Sequence, residues 1–238
     1  TGQNTSTGTT TSPTELTSLR DLGMRDVAVG YLSMSAVDGD GAVWVWGNDT
    51  YAQLGLQSTT AQTVPVKIEA SNIATGGTVP SSVLEVDMGQ NGAMARTASQ
   101  VISWGYNTTY AGHASPTVPA AVTLTSCTPT STAWGIYVNG SSVYQSAYIG
   151  CRQGGARSWG VNAAGQLGNG NLTNQTTPVS VSGLPAGVAV SQVDGGSRGG
   201  FARLSDGRVY SWGSNYYRQL GVSANYATGT TYYLSLIH

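Results

Sequence analysis

Charge is what this sequence has least of. Of 238 residues, ten are Lys or Arg and eleven are Asp or Glu, and Lys67 is the single lysine. So few cations give almost no field with which to hold a phosphate backbone or an anionic lipid face, so nucleic acid and membrane insertion are excluded as modes of partnership. Long apolar runs are missing too: none approaches the roughly 18 residues that a membrane-spanning helix needs. Histidine occurs twice, at His113 and His238, with no Cys, Asp or Glu at ligand spacing and no nucleophile motif beside either. The few carboxylates are scattered, most of them in turns, and form no pair suited to acid–base work. Neither a metal nor a cofactor is expected, and the chain reads as non-enzymatic.

Cysteine is nearly absent as well. Cys127 and Cys151, 24 residues apart, allow one disulfide and no Cys-x-x-Cys redox or zinc motif. Two buried thiols are the alternative. A disulfide is favoured because the rest of the composition suits an exported protein. By restricting the unfolded chain it would contribute about 3 kcal/mol.

What the chain has instead is Gly, Ser, Thr, Asn and Tyr, a mixture suited to short strands joined by tight turns. It also has a sentence that it repeats. Val209-Tyr-Ser-Trp-Gly-Ser-Asn-Tyr-Tyr-Arg-Gln-Leu-Gly221 is matched by Val43-Trp-Val-Trp-Gly-Asn-Asp-Thr-Tyr-Ala-Gln-Leu-Gly55 and by Arg157-Ser-Trp-Gly-Val-Asn-Ala-Ala-Gly-Gln-Leu-Gly168. A weaker copy, Val101-Ile-Ser-Trp-Gly-Tyr-Asn-Thr-Thr-Tyr-Ala-Gly112, keeps Trp-Gly-x-Asn and has lost Gln-Leu-Gly. The tryptophans Trp46, Trp104, Trp159 and Trp212 recur roughly every 55 residues, a period that must be recognised before any strand is assigned.

Other landmarks travel with them. An Asp-Gly hairpin turn precedes the strand that ends in Trp-Gly, as at Ser205-Asp-Gly207 and Asp38-Gly-Asp-Gly41. Downstream, Pro65-Val-Lys-Ile, Pro119-Ala-Ala-Val and Pro178-Val-Ser-Val each read as a strand opened by proline; Thr231-Tyr-Tyr-Leu-Ser-Leu-Ile takes that place in the last unit. Each unit is thus about four short strands, with the third stretched between Ala133 and Gly155. In Val43-Trp-Val-Trp both sides of the strand are apolar, which requires sheets packed face to face.

The fold expected is all-β: a β-propeller of four-stranded blades, four units being visible at about 20–79, 80–132, 133–187 and 188–238, after a polar segment 1–11. A stacked β-solenoid is the competing architecture. Gly47, Gly105, Gly160 and Gly213 would let the chain leave a crowded position without a Cβ. Leu54, Leu167 and Leu220 would fill the gap between neighbouring units.

Trp-Gly-x-Asn-x-x-x-Gln-Leu-Gly, preceded by Asp-Gly-x-Val and followed by a Thr-Pro-Val strand, resembles the regulator of chromosome condensation repeat over roughly Asp21 to Ile237. The resemblance implies a seven-bladed propeller, of which four units are seen. Part of a longer polypeptide, or an arc completed by a partner chain, is therefore expected, with Thr1 to Thr11 as the start of a processed chain. It also implies work by binding. The family includes a nuclear exchange factor, ubiquitin-ligase components and secreted bacterial proteins such as a propeller-type β-lactamase inhibitor; this composition suits the secreted branch.

Tyrosine is the candidate binding residue. Tyr51 and Tyr217 both lie five residues past a tryptophan and read as repeat-encoded packing, whereas Tyr106, Tyr110 and Tyr216, with Arg218 beside them, suit a contact surface or packing. Asn-x-Ser/Thr triplets at Asn4, Asn48, Asn107, Asn139, Asn171 and Asn174 are glycosylation candidates. Asn48 and Asn107 are read as motif positions that could instead tie down their own turns. Asp38-Gly-Asp-Gly41 resembles the start of a calcium loop without its later ligands, and reads as a hairpin turn.

The function expected is a non-enzymatic, extracellular or cell-surface protein-binding module, a subunit of an appendage or coat that packs against copies of itself or a surface partner. The alternatives are a soluble secreted inhibitor or adhesin with one target, and a glycan-binding or enzymatic propeller. High mass, a single retained protein and binding on a glycan array would separate the three.

Overall fold

The structure, a computed structural model, describes residues 11–73, 75–105, 118–139, 142–222 and 232–236. They form sixteen strands in four sheets, each of four antiparallel strands in chain order. The first sheet contains β1 (Asp26–Val29), β2 (Ser33–Val37), β3 (Val43–Gly47) and β4 (Gln62–Lys67). The second contains β5 (Glu85–Met88), β6 (Gly92–Arg96), β7 (Val101–Gly105) and β8 (Ala120–Ala121). The third contains β9 (Pro129–Asn139), β10 (Ser142–Cys151), β11 (Ala156–Gly160) and β12 (Gln175–Ser180). The fourth contains β13 (Val190–Gly195), β14 (Gly199–Leu204), β15 (Val209–Ser214) and β16 (Tyr232–Leu236). One 3-10 turn, Thr17–Leu19, is the only helical element among the described residues. The chain divides into two compact units, Thr1–Ala121 and Val122–His238, each holding two sheets.

Strand β3 of the first sheet is packed on both sides, as its doubly apolar pattern demands, although Val27 and Val29 of β1 stay exposed. On one face Val37, Val43 and Val45 join Leu54 and Leu56 in a cluster that continues through Ile68 and Val83 to Val86, Ala95, Ile102 and Trp104 of the second sheet. On the other, Ala36 and Trp46 pack with Met34, Trp44, Leu16, Leu19, Leu22 and Met24. In the second unit the equivalent cluster joins Tyr148 and Ala156 to Val190, Val193, Ala202, Leu204, Tyr210 and Trp212.

Four glycines set the shape of every sheet. Gly47, Gly105, Gly160 and Gly213 have φ of 106°, 113°, 111° and 105°. A Cβ on them would lie 2.5, 2.2, 2.3 and 2.3 Å from the carbonyl oxygens of Leu32, Asn91, Gln145 and Arg198. Those oxygens have work to do: the N–H groups of Asn48, Val161 and Ser214 donate to Leu32, Gln145 and Arg198 at 2.8, 3.0 and 2.8 Å. The accepting oxygen thus occupies the space in which a side chain would stand.

Asp38 makes the β2–β3 turn. Its Oδ1 accepts the N–H groups of Asp40 and Ala42 at 3.0 and 2.9 Å, and its Oδ2 accepts the Trp44 indole N–H at 2.8 Å. Burial opposes its charge, but these three bonds, with Lys67 adding an attraction, hold the carboxyl below the usual range. The segment is a hairpin turn, and its carboxylate oxygens are already engaged.

One local expectation is corrected. Pro65 and Pro178 do not open their strands; they sit inside β4 and β12, which begin at Gln62 and Gln175. Both strands lie at sheet edges, and the pairing shifts register beside each proline, between Val45 and Gly47 and between Ser158 and Gly160. The missing N–H therefore costs no ladder bond. The stretched third unit is a long hairpin: β9 and β10, of 11 and 10 residues, stay paired from Ser131↔Gly150 out to Asn139↔Ser142. At its base Cys127 and Cys151 form a disulfide, and Gln153 bonds to Thr128 through both its amide oxygen and its amide nitrogen.

Candidate protein-binding interface

Each letter of the repeated motif has a task in the turn after Trp-Gly. The Oδ1 atoms of Asn162 and Asn215 accept the N–H groups of Leu167 and Leu220 at 3.0 and 3.1 Å. In the first unit Asp49 does this, taking the Leu54 N–H at 2.8 Å. The Gln side chain folds back in the same way: Oε1 of Gln53, Gln166 and Gln219 accepts the N–H groups of Tyr51, Ala164 and Tyr217 at 2.8, 2.7 and 2.8 Å. Between them lies a residue in the left-handed region, Ala52, Gly165 or Arg218, with φ of 55°, 71° and 62°. With both amide side chains turned inward, the Gln main-chain carbonyl points out of the turn.

That carbonyl receives the next tryptophan. The Trp104 indole N–H donates to Gln53 O at 2.9 Å, and Trp212 to Gln166 O at 2.8 Å. The glycine that follows leaves room for the ring: a Cβ on Gly55 would lie 2.8 Å from Trp104 Cδ1, and one on Gly168 2.7 Å from Trp212 Cδ1. Leu54, Leu167 and Leu220 are buried beside these turns. At the Trp212 joint Tyr148 adds a second bond. Its hydroxyl donates to the same Gln166 carbonyl at 2.9 Å, and its ring lies 6.1 Å from Trp212. Complete burial drives its phenol pKa upward, against the hydrogen bond with Ser146, so it stays a donor. Smaller polar links cross the same joints. The Val86 N–H donates to Asp26 Oδ2 at 2.7 Å, and the Val193 N–H to Ser131 Oγ at 3.0 Å.

Asp49 corrects the sequence reading that Asn48 holds the motif position. At the equivalent place the Asn162 amide donates to Asn169 Oδ1, Asn171 O and Thr173 O at 2.9, 2.9 and 3.1 Å. An aspartate has no such donor, and Asp49 Oδ2 is buried with no hydrogen-bond partner. Burial pushes its carboxyl up to about 7, the bond from Leu54 pulling the other way. Asn48 instead accepts from the Thr50 N–H at 3.1 Å and the Gln53 amide at 3.0 Å.

On the fourth unit's turn, Tyr216 and Tyr217 are 78% and 80% exposed and meet edge to face, centroids 4.7 Å apart. Tyr217 borders a hollow of about 750 Å³ walled by Phe201, Ser211, Trp212, Gln219 and Leu220. Arg218 stands on the same turn. Tyr106, Tyr110, Asn107 and Asn4 lie outside the described residues, as do His113 and His238. The sequence put Tyr217 down to packing; its exposure places it with Tyr216 instead. Among the sequons, Asn171 and Asn174 are exposed, with side-chain oxygens bound to the N–H groups of Thr173 and Asn162 at 2.9 and 2.8 Å. Asn139 ends β9. Among the described residues no three of His, Cys, Asp and Glu gather as metal ligands would, and no helix is long and apolar enough to cross a membrane.

This architecture has known counterparts. The regulator of chromosome condensation (RCC1) repeat matches residues 40–95 and 153–202, and a second form of the same repeat matches residues 190–219. The ultraviolet-B receptor UVR8 of Arabidopsis thaliana is 28% identical over 224 residues, covering 90% of this chain and 46% of the receptor. Human WBSCR16 superposes with a TM-score of 0.71 at 21% identity, over 92% of this chain and 55% of its own. Yeast RCC1 (Prp20), solved with Kap60 bound, gives a TM-score of 0.62 at 21% identity, over 85% of this chain and 45% of its own. The chain thus spans about half the length of these relatives. The superpositions show a propeller fold in place of the solenoid. With the motif matched in its own turns, the chain belongs to the regulator of chromosome condensation (RCC1) repeat family.

Proposed function

We propose that the chain is a non-enzymatic protein-binding module of the extracellular space or cell surface, a subunit that packs against copies of itself or a surface partner through the fourth unit's turn. The observation that carries this is the exposed pair Tyr216 and Tyr217 at the rim of the hollow. Two large aromatic rings held outward on a hydrogen-bonded turn have little rotamer freedom left to lose on contact, and tyrosine is the residue such surfaces favour. The family supports binding in place of catalysis, and the yeast neighbour carries a protein on it. Scarce charge and a disulfide suit an oxidising compartment.

The test is a binding assay with the immobilised chain against envelope and secreted fractions. Wild type is expected to retain a small set of proteins, and Tyr216→Ser/Tyr217→Ser to retain them roughly 30-fold less well, as loss of two interface anchors implies. Equal retention by both would contradict the assignment. Glycan binding lost on the same substitutions would favour the lectin alternative.

A further inference from the structure

One motif position carries an acid where its counterparts carry an amide, and the fold keeps water from it. Asp49 is fully buried, as is Asn162 at the same place in the third unit. The loops that enclose them match. Each runs from the glycine after the tryptophan to its strand partner, Gly47 to Gln62 and Gly160 to Gln175, over equal lengths of chain. Left-handed residues fall at the same two places, Ala52 and Gly55 in one and Gly165 and Gly168 in the other. The closing Gln side chain donates two residues back in both: Gln62 Nε2 to Thr60 O at 2.9 Å, and Gln175 Nε2 to Thr173 O at 3.2 Å. Asn162 Nδ2 also donates to that Thr173 carbonyl, at 3.1 Å, and to Asn171 O at 2.9 Å. Asp49 sets an oxygen, Oδ2, in the place of that nitrogen. Several buried side-chain atoms of the described residues lack a partner, among them the hydroxyls of Ser33, Ser35 and Thr132, but Asp49 Oδ2 is the one that can take up a proton.

The same residue ties down both neighbours of Gln53. Its main-chain carbonyl accepts the Ala52 N–H at 2.9 Å, and its Oδ1 accepts the Leu54 N–H at 2.8 Å. Gln53 O, between them, receives the Trp104 indole at 2.9 Å. The charges of the two sheets are engaged elsewhere. Tyr51 is the other titratable side chain of segment 48–61. Lys67 attracts Asp38, and Glu85 pairs with Arg96 at 2.7 Å. Asp26 and Asp87 accept the N–H groups of Val86 and Met88, and the exposed Glu69 accepts the Ser71 hydroxyl. Nothing in this set offsets burial, which raises the Asp49 carboxyl to about 7 against the pull of the Leu54 bond.

We propose that Asp49 is a proton-operated latch on the Trp104 joint. Protonated, its Oδ2 donates to the Thr60 carbonyl as the Asn162 amide does to Thr173, and the turn holds Gln53 O against the indole. When the proton leaves to solvent, a buried carboxylate oxygen faces a carbonyl oxygen with no hydrogen between them. The turn is then drawn toward water, and Gln53 O leaves Trp104. Opening exposes a carboxyl that titrates near 3.9 in water, against about 7 in the closed turn. The closed joint therefore has its full advantage below about pH 4, loses it as pH rises to 7, and changes little above that. The Trp212 joint, built on Asn162, has no such dependence.

The test is indole N–H exchange in the full chain from pH 5 to pH 9, with Trp104 and Trp212 assigned by single Trp→Phe substitutions. The ratio of their rates cancels the intrinsic pH dependence of indole exchange. In wild type the Trp104 to Trp212 ratio is expected to rise roughly 50-fold between pH 5 and pH 7 and to level off above about pH 8. In Asp49→Asn, which supplies the amide of the third unit, the ratio is expected to stay constant over the whole range. A constant ratio in wild type would overturn the proposal without recourse to any variant at position 49. A rise that persists unchanged in Asp49→Asn would overturn it too, by assigning the proton to another group.

Discussion

Gly213→Ala is expected to destabilise the protein by about 3–5 kcal/mol, a fall in melting temperature of roughly 10 °C. Two costs combine. At φ of 105° an alanine is strained by about 1–3 kcal/mol. Its methyl would also stand 2.3 Å from the Arg198 carbonyl oxygen, the acceptor of the Ser214 N–H. The strand must move away from that oxygen, and the bond that ends the β14–β15 ladder goes with it. Gly207 separates the two terms. It has φ of 91°, but a Cβ there meets nothing within 4 Å, so Gly207→Ala bears the backbone strain alone. Thermal melts of the two variants side by side measure the difference; equal losses would show that the close approach to Arg198 contributes nothing.

Asp49→Asn is expected to stabilise the protein, and to do so only above acidic pH. In the unfolded chain this carboxyl titrates near 3.9, whereas in the fold burial raises it to about 7. Between these values the folded state holds a proton that the unfolded state has released. Wild-type stability therefore falls as pH rises from about 4 to 7, and is level above that range. Asparagine does not titrate, and it supplies the N–H donors that Asn162 uses at the same place. The variant should match wild type more closely at pH 4 and exceed it by on the order of 2–4 kcal/mol at pH 8. Denaturant titrations at the two pH values check this. A constant difference between pH 4 and pH 8 would mean that Asp49 is not protonated in the fold.

The repetition of Trp-Gly and Gln-Leu-Gly made the four sheets legible, because each motif residue has a geometric duty in its turn. Trp46, Trp104, Trp159 and Trp212 are all buried, as residues in equivalent surroundings should be. Reading by letter failed at Asn48, where counting from Trp46 points to Asp49: an asparagine was present one place early, and an aspartate can supply the single acceptor the turn requires. The prolines misled for a related reason. Pro65 and Pro178 suit a strand start, but an edge strand beside a register shift tolerates them equally well.

The joints were less visible. Tyr148, Asp26 and Ser131 link neighbouring sheets, yet none lies in a repeated string, and Tyr148 falls in the stretched unit where the period breaks. Tyr217 shares its place with Tyr51, so spacing alone assigned both to packing. What separates them is neighbourhood: Tyr51 is 43% exposed and Tyr217 80%.

Underlying all of this is one claim, that Trp104 and Trp212 are each held by the outward Gln carbonyl of the repeat before, Gln53 and Gln166. Indole ¹⁵N–¹H spectra, assigned by single Trp→Phe substitutions and followed in deuterated buffer with the chain dilute enough to be monomeric, test it directly. The N–H groups of Trp104 and Trp212 should exchange slowly, and Trp46, lacking an acceptor, should lose its proton markedly faster. Equal exchange at Trp46, Trp104 and Trp212 would contradict the account.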